Sequence, residues 1–137
     1  MEKLEHIGIA VKNLDESNKI FARLLGRDHY KIEPVVSEGV RTSFFDVGGV
    51  KIELLEATDE NSPIARFIDK KGEGIHHLAF EVTDISESLK AYADRGFEVI
   101  NTEPKSGADN KVIFFLHPRS TNGVLIELCQ EKKSVDN

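Results

Sequence analysis

Apolar and polar positions alternate with period two from Leu4 to Val11: Ile7, Ile9 and Val11 fall on one face, His6, Gly8 and Ala10 on the other. That period marks a strand buried on one side. From about Asp15 to Leu25 the period lengthens. Ile20, Phe21, Leu24 and Leu25 recur at helical spacing, and Gly26 suits the position just past a helix end. Three strand-like runs follow, roughly 29–36, 40–47 and 50–57. The order then repeats: a strand runs from His77, Asp84 can cap a helix with Glu87 three residues on, Ile85, Leu89 and Tyr92 form its stripe, and Gly96 stops it. The runs 97–102, 111–117 and 124–130 again read as strands. Between the halves, Ser62-Pro63 offers a cap and a first-turn proline, and Ile64, Phe67 and Ile68 predict a short amphipathic helix before Lys70-Lys71-Gly72. The polar stretch from Glu131 predicts a frayed tail.

The two halves align residue by residue. His6-Ile7-Gly8-Ile9-Ala10-Val11 overlays His77-Leu78-Ala79-Phe80-Glu81-Val82 at an offset of 71, and the match extends through Leu14/Ile85, Glu16/Glu87 and Ser17/Ser88. An offset of 70 would lay His77 over Ile7, so the partner of His6 is His77 and not His76. Further on, Gly49-Val50-Lys51-Ile52-Glu53-Leu54-Leu55 overlays Gly123-Val124-Leu125-Ile126-Glu127-Leu128-Cys129 at an offset of 74, with five of seven positions identical. Each half therefore carries a His and then a Glu.

This pattern predicts an α+β fold of two tandem βαβββ modules, residues 3–58 and 74–130, joined by a helix over 62–71. The modules should form a curved mixed sheet around a cleft, all within one domain. Strand parity sends the apolar residues beside His6, Glu53, His77 and Glu127 toward the helices, and those four side chains to the opposite, concave face.

Two imidazoles and two carboxylates gathered on one face would be costly to desolvate, and the carboxylates would repel each other. A divalent cation removes that cost. Two nitrogens and two carboxylate oxygens, with room for water, suit Co(II), Ni(II), Mn(II) or Zn(II).

Composition narrows the classes. The 137 residues carry 18 Lys+Arg against 24 Asp+Glu, a net charge of −6, which argues against a nucleic-acid partner. No apolar run approaches the ~18 residues of a membrane span, and the run from Ile7 to Val11 is too short and too flanked by charge for a signal peptide. Cys129 is the sole cysteine, so no intrachain disulfide can form, which fits a reducing cytoplasm.

At the level of motifs, the runs around His6, Gly74-Ile-His-His-Leu-Ala-Phe-Glu-Val82 and Gly123-Val-Leu-Ile-Glu-Leu128 resemble the vicinal oxygen chelate superfamily. Within it the chain is most similar to the methylmalonyl-CoA epimerases, through Ser62-Pro-Ile-Ala-Arg-Phe67, Lys71-Gly-Glu-Gly-Ile-His-His77, Glu103-Pro-Lys105, Gly107 and Phe115-Leu-His-Pro118. The resemblance covers residues 3–130. It implies that His6, His77 and Glu127 bind a metal, Co(II) foremost, and that the fourth ligand falls on Glu53, where some relatives have Gln. It also implies a small acyl-CoA substrate and an epimerisation through an enolate; as repeat mates expected to flank the metal, Glu127 and Glu53 are the candidate acid and base, one or both shuttling the proton, with Glu127 favoured. Some epimerases carry a further Glu in a Gly-Val-x-Glu stretch, proposed as a base. Here that stretch reads Gly39-Val40-Arg41-Thr42, and Thr42 cannot act as a carboxylate base.

Two other activities share this scaffold. Lactoylglutathione lyase uses the same kind of ligand set, and the segments outside the ligands favour the epimerase. A metal-free binder of the bleomycin-resistance type lacks the complete set. The fourth ligand and the short chain argue against a ring-cleaving dioxygenase. Lys105, Lys111, Arg119 and Arg41 are candidate contacts for coenzyme A phosphates or plain surface charges. His29, His117 and His76 read as structural, with His76 on the helix side by parity. Cys129 shares a face with Glu127 and is a candidate pocket wall. A homodimer is expected, because sheets of this kind leave open edges.

Overall fold

The computed structural model describes residues 3–133. They divide into two compact units: His6–His77, and the chain from Leu78 onward together with the residues up to Glu5. The βαβββ order appears twice, and the fold is α+β.

The first unit contains β1 (Lys3–Ala10), α1 (Leu14–Leu25), β2 (Lys31–Val35), β3 (Val40–Val47), β4 (Val50–Ala57), α2 (Pro63–Lys71) and the opening of β5 (Gly74–Glu81). Its strands run in the order β2-β3-β4-β1, with β1 parallel to β4 and the other pairs antiparallel. Asn13 caps α1 by accepting the Glu16 N–H, and Gly26 ends it at φ 73°, in the left-handed region that glycine adopts freely. One sheet face, with Ile9, Phe45, Ile52 and Leu54, packs against Leu14, Phe21 and Leu25 at α1. The other face is not left open at its far end, because Ala10, Val40 and Leu55 take Ile64, Phe67 and Ile68 of α2.

The second unit contains the remainder of β5 from Leu78, α3 (Ile85–Asp94), β6 (Lys105–Gly107), β7 (Lys111–Leu116) and β8 (Ile126–Glu131), in the order β5-β8-β7-β6. Asp84 caps α3 by accepting the Glu87 N–H, as its sequence predicts. It stands 71 residues beyond Asn13, so the caps obey the repeat as well. Phe80, Phe114, Leu116 and Leu128 pack against Ile85, Leu89 and Tyr92 of α3, while Ala79, Ile113, Phe115 and Cys129 cluster on the opposite face.

One predicted strand is corrected. Residues 97–102 form a single bridge, Val99 to Leu116, and the edge strand is Lys105–Gly107. The Asn101 side chain accepts the Phe115 N–H at 3.0 Å. A side chain thus takes the place of the next backbone rung, and Pro104, which has no N–H to donate, follows shortly. The predicted frayed tail is corrected at its start, since β8 runs through Glu131; residues 134–137 lie outside the described residues.

Candidate metal centre

Three of the four predicted ligands lie in the first unit, where His6 meets both of the others, each through a different ring nitrogen. His6 and His77 are 4% and 5% exposed and Glu53 is 3% exposed. The Nε2 atoms of His6 and His77 are 3.1 Å apart, with the rings at 86° to each other. The other nitrogen of His6, Nδ1, lies 3.2 Å from Oε2 of Glu53. Glu53 thus meets His6 on the side away from His77, where a carboxylate accepts the Nδ1–H and fixes the ring's orientation.

Two nitrogens bound side by side to one ion at about 2.1 Å stand about 3 Å apart at a right angle. The Nε2 pair has that spacing. Burial, followed by the charges His6 and His76 would carry, holds the His77 pKa well below the usual imidazole value, so the ring is kept as a neutral, lone-pair-bearing donor. The residues present fit a divalent cation.

Glu127 lies in the second unit, 6% exposed. Its surroundings repeat those of Glu53. Glu53 sits in register between Gly8 on a parallel strand and Phe44 on an antiparallel one. Glu127 sits between Ala79, also parallel, and Phe115, also antiparallel. Phe44 and Phe115 are 71 residues apart, a repeat mate that the sequence reading missed. Each ring also carries a lysine ammonium, Lys31 at 4.6 Å and Lys105 at 5.7 Å from the centroids. These lysines are 74 residues apart, so the offset that links Glu53 to Glu127 would have found them.

Gly8 is required by a close approach. A Cβ built there would stand 2.2 Å from Cε1 and 2.6 Å from Nδ1 of His77. Gly8→Ala must therefore displace the His77 ring. It is expected to destabilise the protein by about 1–3 kcal/mol and to weaken divalent-cation binding, read by thermal melts and metal titration.

His76 is half-buried, edge-on to Phe67 of α2 with ring centroids 4.9 Å apart, and its Nδ1 is 2.9 Å from Nδ1 of His77. Parity placed it on the far face; the structure gives it a direct contact with a predicted ligand. Burial and then the nearby Lys71 charge lower its pKa to about 4. The unfolded imidazole takes its proton near 6.5 and the folded one only near 4, so between these values the unfolded state holds more protons. Stability of the metal-free protein is therefore expected to be full above pH 6.5 and to fall as pH drops toward 4, by on the order of 3 kcal/mol. Urea denaturation at pH 7.5 and 4.5 in the presence of a chelator checks this.

The peripheral candidates sort by their partners. Arg119 makes a two-pronged contact with the Glu98 carboxylate, at 2.9 and 3.0 Å through Nη2, and lowers its pKa. Arg41 pairs with Glu56 at 3.1 Å. Lys111 is 6% exposed and stands 4.0 Å from both Asp109 and Glu131. His117 accepts the Arg119 N–H and closes a local turn, as a structural residue does. Burial, then Glu127, pushes the Cys129 thiol above its ordinary range, which leaves it a wall and not a nucleophile. Glu5, also buried, is a second carboxylate near Cys129 that the sequence reading did not single out. Strand parity alone groups Glu5 with apolar Ile7 and Ile9 and carries no signal for it.

Residues 5–115 match the Glyoxalase/Bleomycin resistance protein/Dioxygenase superfamily, and the chain belongs to this family. Over 137 residues, covering 100% of this chain and 98% of the relative, it is 41% identical to Uncharacterized protein YqjC of Bacillus subtilis (strain 168). It is also 41% identical over 127 residues to a mitochondrial methylmalonyl-CoA epimerase of Dictyostelium discoideum, covering 92% of this chain and 76% of that protein. A solved methylmalonyl-CoA epimerase in complex with methylmalonyl-CoA and NH4+ superimposes with a TM-score of 0.92 at 31% identity, covering 100% of this chain and 99% of that one. These epimerases bear out the resemblance read from the motifs, and they are isomerases.

Proposed function

We propose that the chain is a metal-dependent methylmalonyl-CoA epimerase, with His6, His77 and Glu127 as the residues that hold the cation and Glu53, the expected fourth ligand, placed instead on His6 Nδ1, behind the ring. The isomerase class follows from the relatives. The single observation that carries the metal reading is the buried Nε2 pair of His6 and His77, 3.1 Å apart, with a carboxylate on His6 Nδ1. Glu127 joins the set on its register: it is beside Ala79, two residues past His77 on the same face of β5. Co(II) is the favoured ion, and Ni(II), Mn(II) and Zn(II) suit the same donors.

Epimerisation removes a proton from the carbon beside a thioester and returns it on the other face. A bound divalent cation would supply Lewis-acid stabilisation for the charge that develops on the thioester oxygen. His6 and His77 contribute neutral nitrogen donors. Glu53, by accepting from His6 Nδ1, keeps that ring aimed. Phe44 and Phe115, in register with Glu53 and Glu127, wall each carboxylate and limit its hydration. Glu127 takes the proton from one face and Glu53 serves the other, the two roles exchanging with the direction of reaction. Thr42 is fully buried, with its hydroxyl unpartnered among the described residues, and supplies no third carboxylate.

Among the described residues no helix is long and apolar enough to cross a membrane. The free Cys129 thiol suits a reducing cytoplasm, and a homodimer is the assembly we expect. Parallel assays decide between activities. The purified protein with Co(II) should interconvert the methylmalonyl-CoA epimers and leave the hemithioacetal of methylglyoxal and glutathione unchanged. Turnover of the hemithioacetal without turnover of methylmalonyl-CoA would replace this reading with the lyase.

A further inference from the structure

Both candidate imidazole ligands use only one nitrogen toward each other, and the second nitrogen of each has its own partner. For His6 that partner is a carboxylate, Glu53 at 3.2 Å. For His77 it is another imidazole: Nδ1 of His76 lies 2.9 Å from Nδ1 of His77. Two bare lone pairs at such a distance repel unless a cation lies between them, the role the metal reading gives the Nε2 pair; between the two Nδ1 atoms a proton must do it, and its location sets what Nε2 of His77 can do. If His77 carries the proton on Nδ1, its Nε2 is bare and can bind a cation. If His76 donates instead, neutral His77 carries its proton on Nε2, and that atom cannot be a ligand.

We propose that His76 is a positioning residue for the metal centre, accepting the Nδ1–H of His77 and so presenting the bare Nε2 of His77 to the cation beside that of His6. The inference rests on the metal reading above. Its own support is the geometry around His76. The ring stands edge-on to Phe67 at 84°, with centroids 4.9 Å apart, so a helix of the same unit sets its orientation. His77 is in turn held from its other side, where Gly8 leaves no space for so much as a methyl group. His77 thus lies between a backbone that fixes its position and a neighbour that fixes its proton. The pairing also accounts for two adjacent histidines where alternation alone would send them to opposite faces.

The test uses the full chain, stripped of metal, with Zn(II) as a diamagnetic probe and a chromophoric chelator as competitor. His76→Leu keeps apolar bulk beside Phe67 and removes the acceptor. His76→Asn keeps an acceptor near the position of Nδ1. His76→Leu is expected to raise the Zn(II) dissociation constant about 10–100-fold, the usual effect of losing an outer partner of a ligating histidine. His76→Asn should recover most of that loss. Long-range nitrogen–proton NMR of the Zn(II)-loaded wild type should place the His77 proton on Nδ1. Equal affinity for wild type and His76→Leu overturns the inference. So does His76→Asn binding as weakly as His76→Leu, because packing would then explain the loss, and so does a His77 proton found on Nε2. Should His76→Leu fail to fold by circular dichroism, the Asn variant and the wild-type NMR still decide. A wild type that takes up no Zn(II) overturns the ligand set itself and this inference with it, an outcome distinct from tight wild-type binding that His76 does not influence.

Discussion

Glu127→Gln is expected to slow the entry of solvent deuterium into methylmalonyl-CoA by about 10²–10⁴-fold, the range for loss of a positioned general acid or base. Glutamine keeps the size and an acceptor oxygen at the buried position between Ala79 and Phe115, so the packing should survive while the proton-accepting group does not. Glu53→Gln is the matched experiment. Its amide oxygen can still accept from His6 Nδ1, so the ring stays aimed and the loss is confined to proton transfer. If the two carboxylates serve opposite faces of the carbon, each variant should block deuterium entry from one epimer more than from the other. Exchange at wild-type rates in both variants, from both epimers, would end the two-carboxylate scheme. The position of Thr42 sharpens the expectation, since the chain has no carboxylate there to take over.

Removing the cation should have an effect of similar or larger size. Chelator-treated protein is expected to lose at least about 10³-fold in turnover, corresponding to the several kcal/mol that a Lewis acid contributes to a developing oxyanion. Added Co(II) should restore it. A second readout does not depend on activity. A ligand held at 100 times its dissociation constant stabilises the folded state by about 2.7 kcal/mol, so Co(II) should raise the melting temperature of the wild type. His77→Ala removes one of the two facing nitrogens and should abolish both the rescue and the thermal shift. Full turnover in the chelated protein would refute the metal reading while leaving the fold and the family intact.

The repeat made much of this legible in advance. Offsets of 71 and 74 pick out His6, His77, Glu53 and Glu127 before any contact is known, because a duplicated module must repeat whatever its strands present. The strands 40–47 and 50–57 fall where the alternation puts them, and the caps at Asp84 and Gly26 behave as their residue types dictate. The failures share a cause. The segment 97–102 has strand-like alternation, but the Asn101 side chain takes a backbone donor from β7, and only the approach of that strand reveals it. Phe44 and Phe115 do lie on the 71-residue offset, but only register across neighbouring strands sets each ring beside its carboxylate.

By itself the sequence determined the α+β class, the twofold order of elements and the His-then-Glu pair in each module, since these depend on local periodicity and on repetition. Tertiary structure alone decided that Glu53 meets His6 through Nδ1, that Gly8 is bare because His77 occupies the space above it, and that His76 reaches its neighbour's ring. Periodicity assigns a side chain to a face of a strand. Which atom of that side chain meets which partner is set by rotamer and strand register, and those are fixed only when distant segments pack together.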